Sequence, residues 1–224
     1  MEAFLNNSGA VIDGFTWTIR LTAVSALFAF LIGIVLTAMR VSPVPLLRGM
    51  AAVYVETLRN TPLTLVLLFC GLGLNSALGV SFAETTQWNV YWLAVLGLSA
   101  YTACFVSEAL RSGINTIPFG QIEAARSLGL TFMQNMRLIV LPQALRSVIG
   151  PLGSVLIALT KNTTVASVAA LGVQEASREM KLMFDQGVVP VIPTFIGFAL
   201  GFLALCLPMG YVFGWLSKRL AVVR

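Results

Sequence analysis

Histidine is absent from this sequence of 224 residues, and charged residues make up only 10% of it. The chain therefore lacks the commonest general base, the usual proton switch near neutral pH and the imidazole ligand of most zinc sites. Cys70, Cys104 and Cys206 lie inside apolar runs without CxxC spacing, so we interpret them as small buried hydrophobic residues. We predict no catalytic residue and no metal site.

Hydrophobic residues make up 58% of the chain, and its mean hydropathy is +0.89. Such values are typical of integral membrane proteins and not of soluble domains. At about 20 residues per span, the length suffices for roughly five transmembrane helices and no second domain. The net charge of +5 is scattered between apolar runs and forms no basic patch, so nucleic acid is not an expected partner. We predict an all-α domain over residues 1–224 with the lipid bilayer as its environment.

Five apolar runs supply the predicted spans, at about residues 17–39, 50–78, 92–111, 138–160 and 191–216. Residues 1–15 contain no Lys or Arg, so the basic region of a cleavable signal peptide is missing and we expect the N-terminus to be retained.

The distribution of Lys and Arg predicts the orientation, because cytoplasmic flanks keep the positive excess. An N-terminus outside and a C-terminus inside give ten basic residues on the inner side and four elsewhere. The inner ten are Arg40, Arg48, Arg59, Arg111, Arg126, Arg137, Arg146, Lys218, Arg219 and Arg224. We therefore expect a multi-pass protein of the cytoplasmic membrane with residues 112–137 in the cytoplasm.

This loop, residues 112–137, has the pattern of two short helices joined by a corner. Pro118 suits a first helical turn, and Gly129 is the residue expected just past a helix end. Thr131 and Gln134 have the spacing of a capping box, which predicts that a second helix begins there. Ala124 and Ala125 leave the first helix smooth, while Glu123 and Arg126 offer polar contacts at its rim; these features are typical of a helix that docks in a partner's groove.

The loop resembles that of the permease subunits of ATP-binding-cassette importers, in particular the branch that imports polar amino acids. The pattern is Glu123-Ala124-Ala125, three residues, Gly129, nine residues, then Ile139-Val140-Leu141-Pro142. Further similarity lies at Glu56, Arg59, Thr61 and Pro62, at Glu108, Arg111 and Gly113, and at Lys161-Asn162-Thr163-Thr164, which departs from a Lys-Asp-Thr-Ser segment at its second and fourth positions.

The resemblance implies a type I importer permease fold and a division of labour among several proteins. Two permease subunits, identical or homologous, would form the path, and an extracytoplasmic amino-acid-binding protein would deliver the solute. A cytoplasmic ATPase dimer would bind ATP and Mg and drive transport through a coupling helix at about residues 118–128. The chain has no Walker A motif, so we expect no cofactor on it and no ATP hydrolysis by it.

Charged residues within the spans are candidates for the solute path, because an ionisable group in the bilayer usually faces a cavity or a partner. Glu56 with Arg59, and Glu108 with Arg111, are each three residues apart and can pair locally. They would line the path with Thr61, or they would be structural ion pairs that hold spans two and three together. Lys161, Asn162 and Thr163 follow a long apolar run, where a helix break would expose backbone to a cavity.

The candidate lining groups have two negative and three positive charges, which favours an anionic solute. We therefore expect glutamate or aspartate, with glutamine or another polar amino acid as the alternative because Asn162 can also bond an amide. Two other functional classes fit the sequence less well. A secondary transporter usually contains two matching halves, which this sequence lacks. An intramembrane hydrolase would need a nucleophile such as Ser167 beside Lys161, and no motif supports one.

Overall fold

The structure is a computed structural model that describes residues 7–168, 171–187 and 190–220. Within these ranges the chain forms helices and no strand, so the all-α prediction is confirmed. The α-helices are α1 (Ser8–Val41), α2 (Pro45–Arg59), α3 (Leu63–Leu68), α4 (Thr86–Ile114), α5 (Phe119–Ser127), α6 (Phe132–Asn135), α7 (Leu141–Ser147), α8 (Ile149–Asn162), α9 (Thr164–Val168), α10 (Ala176–Asp185) and α11 (Val191–Leu220). There are also two π-helical segments: Phe69–Ala77 follows α3, and Met136–Val140 precedes α7.

Three of these helices, α1, α4 and α11, are each long and apolar enough to cross a membrane alone. Two bent pairs, Pro45–Arg59 with Leu63–Ala77 and Phe132–Ser147 with Ile149–Ser167, also qualify when each is counted as one span. The prediction of five spans is confirmed on that count. Arg224, which contributes to the basic excess, lies outside the described residues.

The second and the fourth spans are both broken, which the predicted ranges of about residues 50–78 and 138–160 did not indicate. The second turns by 101° between Arg59 and Leu63, and the fourth by 51° at Val148. Pro62 disfavours a helical conformation at the residue before it, which ends α2. Pro151 lacks an N–H group and its ring conflicts with the carbonyl four residues earlier, which accounts for the break between α7 and α8.

The main packing in the bundle is the crossing of α1 and α4, where small residues let the two backbones approach. Gly33 of α1 has no space for a side chain, since an added Cβ would lie 2.5 Å from Cγ1 of Val106. Nearby, the Ser99 hydroxyl donates to the carbonyl of Ser25 at 3.2 Å. Such close crossings are typical of membrane helices, whose association depends on van der Waals contact and hydrogen bonds. The pair α1–α4 forms the frame on which the broken spans pack.

The short helix α10 packs on the first part of α1, at the opposite end of the bundle from α5. Glu175 is fully buried, and its carboxylate accepts from the backbone amides of Ser177 (2.8 Å) and Arg178 (3.0 Å). The amide of Ala176, the first residue of α10, donates to the hydroxyl of Thr18 in α1 at 3.1 Å. These bonds satisfy the free amides at the start of α10 and fix it to α1.

Candidate functional site: a coupling hairpin and two helix breaks

Residues 118–135, here called the coupling hairpin, form the two short helices predicted for this loop. Helix α5 begins at Phe119, so Pro118 occupies the N-cap position and not the predicted first turn. Helix α6 begins after Thr131, whose hydroxyl accepts from the amide of Gln134 while the Gln134 side chain accepts from the amide of Thr131. The predicted capping box is confirmed with both of its bonds.

The corner between α5 and α6 is a Schellman motif centred on Gly129. Gly129 has a φ of +82°, a conformation that side-chain-bearing residues rarely adopt. The amide of Gly129 donates to the carbonyl of Arg126 at 2.9 Å, and the amide of Leu130 donates to that of Ala125 at 3.2 Å. The predicted role of Gly129 as the residue past the helix end is confirmed.

The free face of α5 combines small, charged and large apolar side chains. Glu123, Ala124 and Arg126 are exposed, whereas Ala125 is buried against the rest of the chain. Phe119 and Leu128, at the two ends of α5, are 66% and 83% exposed. Neither residue was predicted as a docking residue, although a large apolar residue at each end of a polar helix is a visible signal. The face has the anchors and polar rim of a protein docking surface.

Pro142, the last residue of the loop pattern, lies in the first turn of α7 and away from the hairpin itself. It follows directly after the π-helical turn Met136–Val140, where the amide of Leu141 donates to the carbonyl of Met136 five residues earlier. Pro142 cannot donate to the carbonyl of Leu138, and its ring would conflict with that carbonyl in a regular helix. The widened turn relieves this conflict.

The first helix break, between α2 and α3, brings several of the predicted path residues together. The Arg59 guanidinium donates to the Glu56 carboxylate at 3.1 Å, with both side chains substantially exposed. The Thr61 hydroxyl donates to the carbonyl of Thr57 at 2.8 Å. Asn60, which the sequence analysis missed, donates from its side chain to the carbonyl of Glu56 at 2.7 Å. Polar side chains thus satisfy the carbonyls at the broken end of α2.

The other predicted path residues lie further along the fourth span, at a one-residue interruption at Thr163 between α8 and α9. Lys161 is exposed, and Asn162 lines a cavity of about 350 Å³ together with residues of α4 such as Thr102. Thr163 is fully buried and donates from its hydroxyl to the carbonyl of Thr160 at 2.7 Å. Of the three, Asn162 lines the cavity, Lys161 is exposed at the surface of the chain, and Thr163 faces the protein interior.

The break after α2 and the interruption at Thr163 lie close together. Helix α9 packs against α3, and one hydrophobic cluster includes Leu63 and Leu67 of α3 together with Leu159 and Ala166. The predicted path residues of the second and fourth spans therefore come from neighbouring parts of the fold.

The second predicted ion pair forms, but with an additional partner. Glu108 bonds Arg111 at 2.9 Å and also pairs with Arg40 at the end of α1. All three side chains are partly buried. This cluster joins spans one and three, which corrects the structural alternative in which the pairs hold spans two and three together. From the sequence, Arg40 was predicted only as one of the basic residues on the inner side, because no local pattern connects it with Glu108.

Two broken spans beside a close-packed helix pair, with a helical hairpin projecting from one end, define a membrane permease. The chain belongs to the family described as the inner membrane component of binding-protein-dependent transport systems, which matches residues 11–222. It is a multi-pass membrane protein of that family.

The chain is similar over most of its length to curated permeases and to a solved structure. The glutamate transport system permease proteins GluC of Corynebacterium glutamicum and Corynebacterium efficiens are 52% and 50% identical, over 95% of each chain. The probable glutamine permease GlnM of Bacillus subtilis is 32% identical over 98% of this chain and 97% of its own length. A crystal structure titled as an amino acid ABC transporter with histidines superposes with a TM-score of 0.86 and 25% identity, over 96% of both chains.

Proposed function

We propose that this chain is the permease subunit of an ATP-binding-cassette importer for a polar amino acid, and that its solute is glutamate or aspartate. The observation that carries the proposal is the full-length similarity to two permeases named for glutamate transport. A binding protein delivers the solute, a second permease subunit completes the path, and an ATPase dimer docks on the coupling hairpins. The N-terminus lies outside and the hairpin in the cytoplasm.

The charges of the candidate path residues support an anionic solute. Glu108 and Arg111 are engaged with Arg40, and Glu56 is paired with Arg59, so these groups no longer count as free lining charges. Among the candidate path residues, Lys161 remains as a cation for which the described residues show no ion pair. In a site of low dielectric constant this cation favours a solute with a second carboxylate over a cationic one. The charge balance and the names of the relatives therefore agree.

Solute uptake tests this assignment. Cells that lack their own glutamate uptake should regain it when this chain is expressed with its ATPase, binding protein and second permease. Unlabelled aspartate should compete strongly, and arginine should not. Competition by glutamine alone would favour the alternative suggested by Asn162 and by the glutamine relative. Uptake of arginine without glutamate would contradict the charge argument.

Labelling of single cysteines tests the orientation. In a variant without native cysteines, an impermeant thiol reagent added outside should modify a cysteine at Ser81, which lies between the second and third spans, and should leave one at Gln121 of α5 unmodified. Both positions are exposed in the isolated chain, so the side of the membrane decides whether an external reagent can reach them. Labelling of Gln121→Cys from outside would reverse the proposed orientation.

A further inference from the structure

The coupling hairpin is tied to the fourth span by side-chain bonds that no sequence pattern in the loop predicts. Gln143 lies in the first turn of α7, directly after Pro142. Its side-chain nitrogen donates to the carbonyl of Ile139 at 3.0 Å, inside the widened turn before Pro142. The same nitrogen donates to the side-chain oxygen of Gln121 in α5 at 2.9 Å. An amide NH2 group has two donors, so both are used.

These two bonds fix the orientation of the Gln143 side chain. Reversal of its amide would place an oxygen against the carbonyl of Ile139, which is itself an acceptor. The nitrogen therefore faces both acceptors, and Gln121 contributes its oxygen. The π-helical turn thus holds Gln143 in the position from which it reaches α5.

A second tie lies deeper in the hairpin. Asn135, at the end of α6, is only 4% exposed, and its side-chain nitrogen donates to the carbonyl of Ile122 at 3.1 Å. Ala125 is buried on the same side of α5. Helix α5 thus joins the rest of the hairpin through the corner at Gly129, through the burial of Ala125 and through this side-chain bond.

We propose that Gln143 and Asn135 form a clasp that transmits the movement of α5 to the fourth span, and that the clasp sets how much solute is moved per ATP hydrolysed. The inference rests on the proposed function. Both are positioning residues, since neither has to touch solute or nucleotide. Coupling between distant sites requires an element that moves as one body, and the clasp makes α5, the π-helical turn and α7 such an element.

The test uses the complete complex in proteoliposomes and measures glutamate accumulated per ATP hydrolysed. Gln143→Leu and Gln121→Leu each remove the bond that joins α5 and α7, and each should lower this ratio by about two- to tenfold, the value of one hydrogen bond. The double variant should be no worse than either single one. Gln121→Glu combined with Gln143→Lys should restore the ratio, because an ion pair replaces the bond.

A matched control is available at the opposite end of the bundle. Gln87 donates to Gln174 at 2.8 Å, which is also a bond between two glutamine side chains. Gln87→Leu should leave the ratio unchanged. Equal amounts of ATPase should co-purify with every variant, so that loss of docking is not mistaken for loss of transmission.

Three results would count against the clasp. The first is a wild-type ratio of glutamate to ATP in Gln143→Leu. The second is a lowered ratio that the combination of Gln121→Glu and Gln143→Lys does not restore, and the third is an equally lowered ratio in Gln87→Leu. Each of these would overturn the clasp and leave the proposed function intact. Failure of the wild-type complex to accumulate glutamate with ATP would instead refute the proposed function, and the clasp with it. The wild-type measurement therefore separates the two failures.

Discussion

Gly33 offers the sharpest test of the crossing between α1 and α4. The Cβ of an alanine at this position would lie 2.5 Å from Cγ1 of Val106, 2.7 Å from its Cβ and 3.2 Å from the carbonyl oxygen of Ala103. All three distances are shorter than the optimum of about 3.5–4.0 Å for non-bonded atoms. A change of rotamer at Val106 moves Cγ1 but leaves Cβ in place, so the two helices must separate.

The size of the effect follows from overpacking and helix propensity. Overpacking of a well-packed contact costs about 1–3 kcal/mol. The change from glycine to alanine also stabilises a helix interior by about 1 kcal/mol. Gly214 of α11 is a matched control, because no atom lies within 4 Å of an added Cβ there. The difference in unfolding free energy between Gly33→Ala and Gly214→Ala should therefore equal the overpacking cost alone.

Thermal unfolding of the purified chain in detergent measures this difference. For a chain of this size, about 1 kcal/mol corresponds to a Tm shift of about 2–4 °C. Val106→Ala should recover part of the loss in the Gly33→Ala background, since it removes the nearest atom. Equal Tm shifts for Gly33→Ala and Gly214→Ala would refute the close crossing.

Three further predictions concern the corner, the ion cluster and α10. Gly129→Val should abolish uptake while the protein still inserts, because a β-branched residue resists a φ of +82°. Gly129→Asn should retain uptake, because asparagine tolerates this conformation. Equal uptake by the two variants would contradict the rigid corner. Glu108→Gln breaks a partly buried cluster and should destabilise the chain by less than the ~3–5 kcal/mol of a fully buried pair. Glu56→Gln breaks an exposed pair and should cost about 0–1 kcal/mol. A larger loss of unfolding free energy for Glu56→Gln than for Glu108→Gln would contradict this order. Burial raises the pKa of Glu179 on α10 above its ordinary 4.5, because it disfavours the charged carboxylate. The folded state therefore binds this proton more tightly than the unfolded state does, and the free energy of unfolding falls as the pH rises from 4.5 through the pKa of the folded state. Glu179→Gln should therefore raise the Tm at neutral pH and lose that gain below pH 4.5; a gain that persists at acid pH would be inconsistent with burial.

The coupling hairpin was predictable because its determinants are local. Gly129, Thr131 and Gln134 act within one helical turn of their own positions, and the structure shows the Schellman corner and the capping box that their spacing indicated. The span count was predictable for a similar reason, since hydropathy is a property of each segment.

The helix breaks were only partly visible in the sequence. Pro62 and Pro151 each mark a break, but hydropathy averaged across them gave a single run. A proline within an apolar segment is compatible with both a kinked and a broken span, and packing against neighbours decides which one forms.

The long-range pairings were not predictable from one sequence. Arg40 and Glu108 are 68 residues apart, and Gln121 and Gln143 are 22 apart. Their contact depends on how closely α1 approaches α4 and on where the π-helical turn directs α7. The solute-path roles of Thr61, Lys161, Asn162 and Thr163 remain predictions, and the burial of Thr163 makes it the least accessible of the four.

The measurement closest to the central claim is ATP-driven glutamate uptake by proteoliposomes that contain this chain, its second permease and the ATPase, with binding protein on the outside. We predict accumulation that requires enclosed ATP and the binding protein. We also predict that Lys161→Ala reduces glutamate uptake, because it removes the cation among the candidate path residues for which the described residues show no ion pair. Accumulation without ATP, or arginine uptake in place of glutamate, would contradict the account.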